Sequence, residues 1–271
     1  MLIMKNVFDM LRLDGKTAIV TGAKAGLGFD MAGALAEAGA NIVITSRTLD
    51  KAEAAVQEMK TLYPGMNALA LELDHNDFEQ CEKAAAAVMA HFGAIDILVN
   101  NAGGGSGAHA GAFWEREPDD YIGIIQNNLI GVMNLTRAVC PYMIRQGHGK
   151  IINVGSIAGV VGRDRQLYHK SGKNEQSAGY AAAKGGVIAV TRDLACALAP
   201  HNICVNSISP GGFYRGEPEA FVKLYSEITP LGRMGKVGED LKGTALLLAS
   251  DAGNYITGQN IAVDGGFSIC K

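Results

Sequence analysis

Tyr180 and Lys184 stand four positions apart in the run Tyr-Ala-Ala-Ala-Lys, a spacing suited to moving a proton near neutral pH. A phenol with an ordinary pKa of about 10 is a poor base at pH 7 and needs a nearby positive charge to favour its phenolate. On a helix, residues four apart share a face, so the lysine ammonium can supply that charge. A second feature is the turn Thr21-Gly22-Ala23-Lys24-Ala25-Gly26-Leu27-Gly28, between an apolar strand candidate and a helix candidate. In a parallel sheet this turn lies at the carboxyl edge, where the next helix aims its free N–H groups and positive dipole end outward. Glycine there lets a diphosphate approach the backbone, which is the physical basis for reading the turn as a dinucleotide cradle. Taken alone, either feature could be ordinary: an amphipathic helix with an exposed lysine, or a tight turn.

The elements that must hold these residues follow from hydrophobic patterning. Short apolar runs at 17–21, 41–46, 68–73, 95–100, 150–154, 203–208 and 260–263 read as strands. Between them, helical patterns cover 27–38, 50–62, 77–92, 118–146 (long or broken), 178–198, 217–228 and 239–249. Continuous rather than alternating apolar strands, separated by helices, predict a parallel sheet covered on both faces. The expected fold class is α/β: a single Rossmann-like, doubly wound domain over 1–271, with about seven parallel strands and helices on both faces. Residues 162–178 are polar, charged and long for a connection, and read as an inserted loop before Tyr180.

Composition narrows the field. Glycine makes up 35 of 271 residues, about twice the usual share of about 7%, without the three-residue period of collagen. With 48% apolar residues the chain is not a disordered one, and a net charge of −3 gives no reason to expect nucleic acid or an anionic membrane as partner. No apolar run reaches the roughly 18 residues of a membrane span, and Lys5, Asp9 and Arg12 interrupt any leader-like core, so a cytoplasmic protein is expected. Cys81, Cys140, Cys196, Cys204 and Cys270 are widely spaced without CxxC. The first four sit in apolar segments and read as buried thiols. The six histidines form no ligand cluster, so no metal site is expected.

The glycine spacing G-x-x-x-G-x-G resembles the TGxxxGxG motif of the short-chain dehydrogenase/reductase family, and residues downstream extend the likeness. Asn100-Asn101-Ala102-Gly103 is similar to the family's NNAG, Ser156 follows the fifth strand, Tyr180–Lys184 matches YxxxK, and Pro210-Gly211 follows the sixth strand. Asn128 resembles the helix asparagine of the family's catalytic tetrad, although Asn127 would take that place if the register moved by one. The resemblance implies hydride transfer between a nicotinamide and a secondary alcohol or ketone. In that chemistry the hydroxyl proton must leave or arrive as the hydride moves. It further implies that Tyr180 exchanges the proton, Ser156 polarises the substrate oxygen, Lys184 holds the nicotinamide ribose, and Asn128 supports a proton path behind the lysine. Cofactor contacts are expected from Gly22, Lys24, Gly26, Leu27, Gly28, Ser46, Arg47, Asp74, Asn101, Ala102, Gly103, Tyr180, Lys184, Pro210 and Gly211. A homotetramer is expected by the same likeness, through Thr257-Gly258 and Val263–Gly266.

Ser46, where NAD-preferring relatives place aspartate, and the adjacent Arg47 favour NADP over NAD, because a basic residue pairs with a 2′-phosphate. Ser156 and Tyr180 stand 24 positions apart, more than is usual in the family, and Tyr168 lies between them; four residues after Tyr168 is Gly172, so that tyrosine lacks the lysine. Arg163, Arg165, His169, Lys170 and Lys173 in the insertion outnumber Asp164 and Glu175, a balance that could attract a carboxylate or phosphate. Residues 212–229 occupy the substrate-lid position, with Gly212 and Gly216 as candidate hinges. The whole resembles the polyol and sugar-acid branch of the family, to which gluconate 5-dehydrogenase belongs. The substrate is then expected to be a small polar molecule, with an anion suited to the insertion's charge. A 3-oxoacyl-[acyl-carrier-protein] reductase carries the same motifs, and a non-catalytic NADPH-sensing protein would keep the fold without turnover. Loss of Tyr180 or Lys184 would mark the latter, and both are present.

Overall fold

Val, Ile and Ala run uninterrupted through the strand segments, and such runs are stable only when covered on both faces. The computed structural model describes residues 5–104 and 113–270. Residues 105–112, most of the glycine-rich stretch after the fourth strand, lie outside the described residues. Seven strands form one parallel sheet: β1 (Thr17–Thr21), β2 (Asn41–Ser46), β3 (Ala68–Glu72), β4 (Ile97–Asn100), β5 (Gly149–Val154), β6 (Ile203–Pro210) and, last in the chain, β9 (Asn260–Val263). A separate pair of two-residue strands, β7 (Phe213–Tyr214) and β8 (Gly235–Lys236), lies between β6 and β9 in sequence. The sheet order is β3-β2-β1-β4-β5-β6-β9, which reverses direction between β1 and β4. Ligands of doubly wound sheets bind at that switch point, beyond the carboxyl ends of the strands.

Successive residues of each strand serve opposite faces. Ala18, Val20, Ile42, Ile44, Ile97 and Val99 pack with Met31 and Leu35 of α2 (Gly26–Glu37), Met59 of α3 (Leu49–Leu62) and Leu248 of α10 (Lys242–Ala249). Ile19, Val43 and Leu98 face the other way, against Val88 of α4 (Phe78–Phe92), Val139 of α6 (Gly131–Gln146) and Leu198 of α8 (Ala178–Leu198). The Rossmann-like α/β expectation is thereby met, with helices on both faces of seven parallel strands.

The 118–146 pattern, expected as one long or broken helix, is broken: α5 (Pro118–Ile125), a π-helical turn over Gln126–Ile130, then α6. Two local features depart from the sequence reading. The expected loop at 162–178 contains a helix, α7 (Arg165–Ser171). Asp164 caps its start by accepting from Gln166 N–H at 2.9 Å, and Gly172 ends it at φ +67°. Leu167 and Tyr168 of α7 pack with Phe221 and Tyr225 of α9 (Glu219–Glu227), so residues 162–178 and 212–229 share a small core with Met234 and Phe267. The cysteines are all free, but Cys196 is exposed on the outer face of α8 and only Cys81 is buried, against the expectation of four buried thiols.

Candidate active site

β1 ends in Thr21, whose hydroxyl oxygen accepts N–H bonds from Asn101 (2.9 Å) and Ala102 (2.8 Å), while Asn101 Nδ2 donates to Thr21 O at 2.9 Å. The segment after β4 is thus fastened to the glycine turn. This changes the meaning of two glycines. A Cβ on Gly22 would meet Ala102 Cα at 3.0 Å, and one on Gly28 would run into Asn101 Nδ2. Asn101 and Ala102 press on Gly22 and Gly28, and Gly22, like Gly26, also has a left-handed backbone (φ +63° and +64°); Gly26 has only Arg215 Nη1 near its Cβ position, at 3.9 Å. Ala25 offers no side-chain cap at the start of α2, which leaves the first N–H groups of that helix for a ligand. Asn100 points away, into a buried ladder with Thr136 and Asn153, each at 2.9 Å.

Two hollows meet at Gly22, Asn101, Gly103 and Gly104. The larger, about 570 Å³, is lined by Lys24, Ser46, Arg47, Asp74, Ala102 and Asn127. The other, about 370 Å³, holds Leu27, Ser156, Tyr180, Lys184, Pro210 and Gly211. With the uncapped α2 terminus between a far half bearing Arg47 and a near half bearing Tyr180, the cleft has the shape and donor set of an extended nicotinamide dinucleotide site. Every expected cofactor residue lies on its wall or next to it.

Four elements position the candidate catalytic groups, Ser156, Tyr180 and Lys184 in the near half and Asn128 on the wall of the far half. Ser177 caps α8 by accepting from Tyr180 N–H at 3.1 Å, which sets Tyr180 on the first turn, and Lys184 follows one turn later. Lys184 Nζ donates to Val154 O at the end of β5 (2.7 Å) and stands 5.8 Å from the Tyr180 ring centre. Ser156, two residues beyond, caps a short 3₁₀ turn with its hydroxyl oxygen 3.1 Å from Ala158 N. The π turn aims Asn128 inward, fully buried, to bond Gly104 N, Gly104 O and Ile124 O, while Asn127 turns to His75 Nε2 at 3.1 Å. Of the two asparagines, Asn128 is the one near Lys184: the Cβ position of Gly103 lies 2.6 Å from Asn128 Oδ1 and 3.7 Å from Lys184 Nζ.

Burial raises the Tyr180 phenol above its usual range, opposed by a hydrogen bond with Ser156 and then by the charges of Arg163 and Arg215. Burial lowers Lys184 to about 8. The cations that favour the phenolate are thus two arginines outside the Tyr-Lys pair. Arg215, five residues after Pro210, is missing from the sequence reading. Its signal was a basic side chain in the segment after the sixth strand.

The insertion's positive balance is largely neutralised. Arg165 pairs with Glu175 at 2.9 Å, His169 approaches the same carboxylate at 2.5 Å, and Lys173 pairs with Glu217 at 3.3 Å. Gly212, a candidate hinge, is held instead: its N–H donates to Tyr225 Oη at 2.6 Å, and a Cβ there would meet the Tyr225 ring. Gly216, at φ +86°, has open space around it.

Among the described residues, no cluster of His, Cys, Asp and Glu could hold a metal ion, and no helix is long and apolar enough to cross a membrane. The family model for short chain dehydrogenases matches residues 16–217. A 3-oxoacyl-[acyl-carrier-protein] reductase of Thermotoga maritima is 35% identical over 263 residues, covering 96% of this chain and 100% of its own. A 3alpha-hydroxysteroid dehydrogenase of Mediterraneibacter gnavus is 32% identical over 259 residues, 94% of this chain and 98% of that one. The crystal structure of a gluconate 5-dehydrogenase from Burkholderia cenocepacia, in complex with NADP and tartrate, superposes with a TM-score of 0.86 at 36% identity, over 97% of this chain and 99% of that one. The glycine turn, the Ser-Tyr-Lys arrangement and these full-length likenesses agree: the chain belongs to the short-chain dehydrogenase/reductase family.

Proposed function

We propose that this oxidoreductase interconverts a secondary alcohol and a ketone on a sugar acid, polyol or other small polar substrate, with NADP preferred over NAD. The observation that carries the reading is the meeting of Ser156, Tyr180 and Lys184 with the open α2 terminus in one cleft. Gly26, Leu27 and Gly28 would receive the diphosphate on their N–H groups, with Arg215 beside them. Arg47 and Lys24 would meet a 2′-phosphate, and Asp74 would lie near the adenine. When bound, the nicotinamide accepts or supplies the hydride at the substrate carbon. Tyr180 Oη then takes or returns the hydroxyl proton, Ser156 Oγ hydrogen-bonds the substrate oxygen, and Lys184 holds the ribose and adds positive charge behind the phenol. Asn128 keeps the Gly103-Gly104 floor of the cleft in place and backs Lys184. Residues 212–229, with α7 packed on α9, would roof the near half as a substrate lid.

NADP is supported by the exposed Arg47 beside Ser46, and by the solved gluconate 5-dehydrogenase with NADP. The tartrate in that structure, a small hydroxy acid, supports the substrate class. Assembly as a homotetramer and a cytoplasmic setting belong to the same reading, and sedimentation of the pure protein tests the first. A screen of polyols, sugar acids and carbonyls with NAD and NADP, followed at the nicotinamide absorbance, tests the activity. Clear turnover of a polar secondary alcohol is expected, and its absence across the panel overturns the proposal. The full-length Thermotoga maritima relative favours a second reading, 3-oxoacyl-thioester reduction; acetoacetyl thioester reduced faster than any sugar-derived ketone would select it.

A further inference from the structure

The near half of the cleft carries Arg163, Lys173, Lys184 and Arg215 against a single carboxylate, Glu217. Three of the four cations are accounted for. Lys173 is paired with Glu217, Lys184 is bonded to Val154 O, and Arg215, beside the glycine turn, is exposed to water that solvates its charge. Arg163 is different. Its Nη1 donates to Gln176 Oε1 at 2.6 Å, and its Nη2 to the carbonyls of Gln176 and Ser177 at 3.2 Å each. These are neutral acceptors, and no carboxylate of the described residues pairs with it: Glu175 is taken by Arg165 and His169. The guanidinium is partly withdrawn from water, faces the same hollow as Ser156 and Tyr180, and lies within hydrogen-bonding reach of Tyr168. A partly desolvated charge without a counter-charge is unfavourable until an anion meets it.

We propose that Arg163 is the specificity-determining residue for a substrate carboxylate or other small anionic group. The group would lie beside the Tyr168 hydroxyl while the reacting hydroxyl sits between Ser156 and Tyr180. The inference rests on the oxidoreductase reading above and narrows its substrate class to anions. Gln176 and Ser177 hold the guanidinium in place, so its orientation is set before the ligand arrives, which reduces the entropy lost on binding. The three-way contest among sugar acids, polyols and neutral ketones is decided by one side chain.

The test measures binding rather than turnover. Hydroxy acids and oxo acids of two to six carbons, and their neutral alcohol or amide counterparts, are titrated calorimetrically into the protein saturated with NADP. At least one acid is expected to bind about 10-fold or more tightly than its neutral counterpart. Arg163→Gln should abolish that difference, and Arg163→Lys should keep part of it, because a charge-assisted bond remains. Equal affinity of every acid and its counterpart in the wild type, no measurable binding of any acid, or a preference unchanged in Arg163→Gln overturns the proposal. These outcomes stand apart from the turnover screen. An enzyme that oxidises neutral alcohols keeps its activity assignment while losing this one, and an acid-selective protein without turnover does the reverse.

Discussion

Asn128 and Gly104 are joined by reciprocal hydrogen bonds: Gly104 N–H donates to Asn128 Oδ1 at 2.9 Å, and Asn128 Nδ2 donates to Gly104 O at 3.0 Å. A family likeness assigns the helix asparagine to a proton path, yet here its amide also clamps the floor shared by both halves of the cleft. Asn128→Leu leaves the Gly104 amide and the buried Ile124 carbonyl without this partner. It should destabilise the protein by about 1–3 kcal/mol in urea unfolding and weaken NADP binding. A variant as stable as wild type, with unchanged cofactor affinity, would show the clamp to be dispensable.

The proposed roles make Tyr180 separable from cofactor binding. Tyr180→Phe removes the hydroxyl proposed to exchange the substrate proton and keeps the ring on the first turn of α8. The turnover number should fall by roughly 10²–10⁴-fold, with the NADP dissociation constant within a factor of about three. Retention of wild-type turnover would exclude Tyr180 as the acid–base. Tyr168 lines the same hollow, and Tyr168→Phe is expected to keep the proton step, because Lys184 stands behind Tyr180 and not behind Tyr168.

Much of this frame is written locally. Unbroken Val/Ile runs locate the strands to within two residues at most ends, since nothing but a two-sided sheet buries them. The candidate pair Tyr180 and Lys184 follows from a four-residue spacing on one helix. What escaped depends on partners distant in sequence. Lys173 meets Glu217 across the cleft, and Arg215 lies by Gly26, neither visible in a local window. The crowding of Gly22 and Gly28 comes from Asn101 and Ala102, some eighty residues on, and is equally invisible locally. Helix α7 was legible after all: Asp164 and Gly172 are ordinary start and stop residues around a seven-residue, mostly polar run, hidden by its charge. The π turn carries no such signal. Gly131 follows it, so close to His75 that a Cβ would collide with the ring.

Burial of Lys184 links stability to pH. With its pKa lowered from 10.5 to about 8, the native state releases this proton before the unfolded chain does. Between about pH 8 and 10.5 the unfolded chain binds more protons, so this residue makes unfolding free energy rise with pH in that window. Below pH 8 both states hold the proton and the native state carries the full penalty, at most about 3 kcal/mol for a shift of this size. Lys184→Met removes the penalty together with the bond to Val154 O. The variant should be more stable than wild type at pH 7, by about 1–2 kcal/mol after about 1 kcal/mol for the lost bond, and the gap should close as pH rises to 10. Parallel unfolding profiles for the two proteins would refute the linkage.

Arg47 and Arg215 are expected to separate cofactor identity from cofactor binding. Arg47 is exposed at the end of β2 in the far half of the cleft, where only a 2′-phosphate distinguishes the two nicotinamides. Arg215 lies by Gly26 at the α2 terminus, where the diphosphate common to both would rest. Arg47→Ala should therefore weaken NADP by about 10–100-fold, the worth of one or two charge-assisted bonds, and leave NAD unchanged. Arg215→Ala should weaken NAD and NADP alike, by about 10-fold. Fluorescence titration of both reduced cofactors against both variants gives four affinities. Loss of both cofactors in Arg47→Ala, or a loss in Arg215→Ala confined to NADP, would reverse the two roles, and wild-type preference for NAD would remove the case for Arg47.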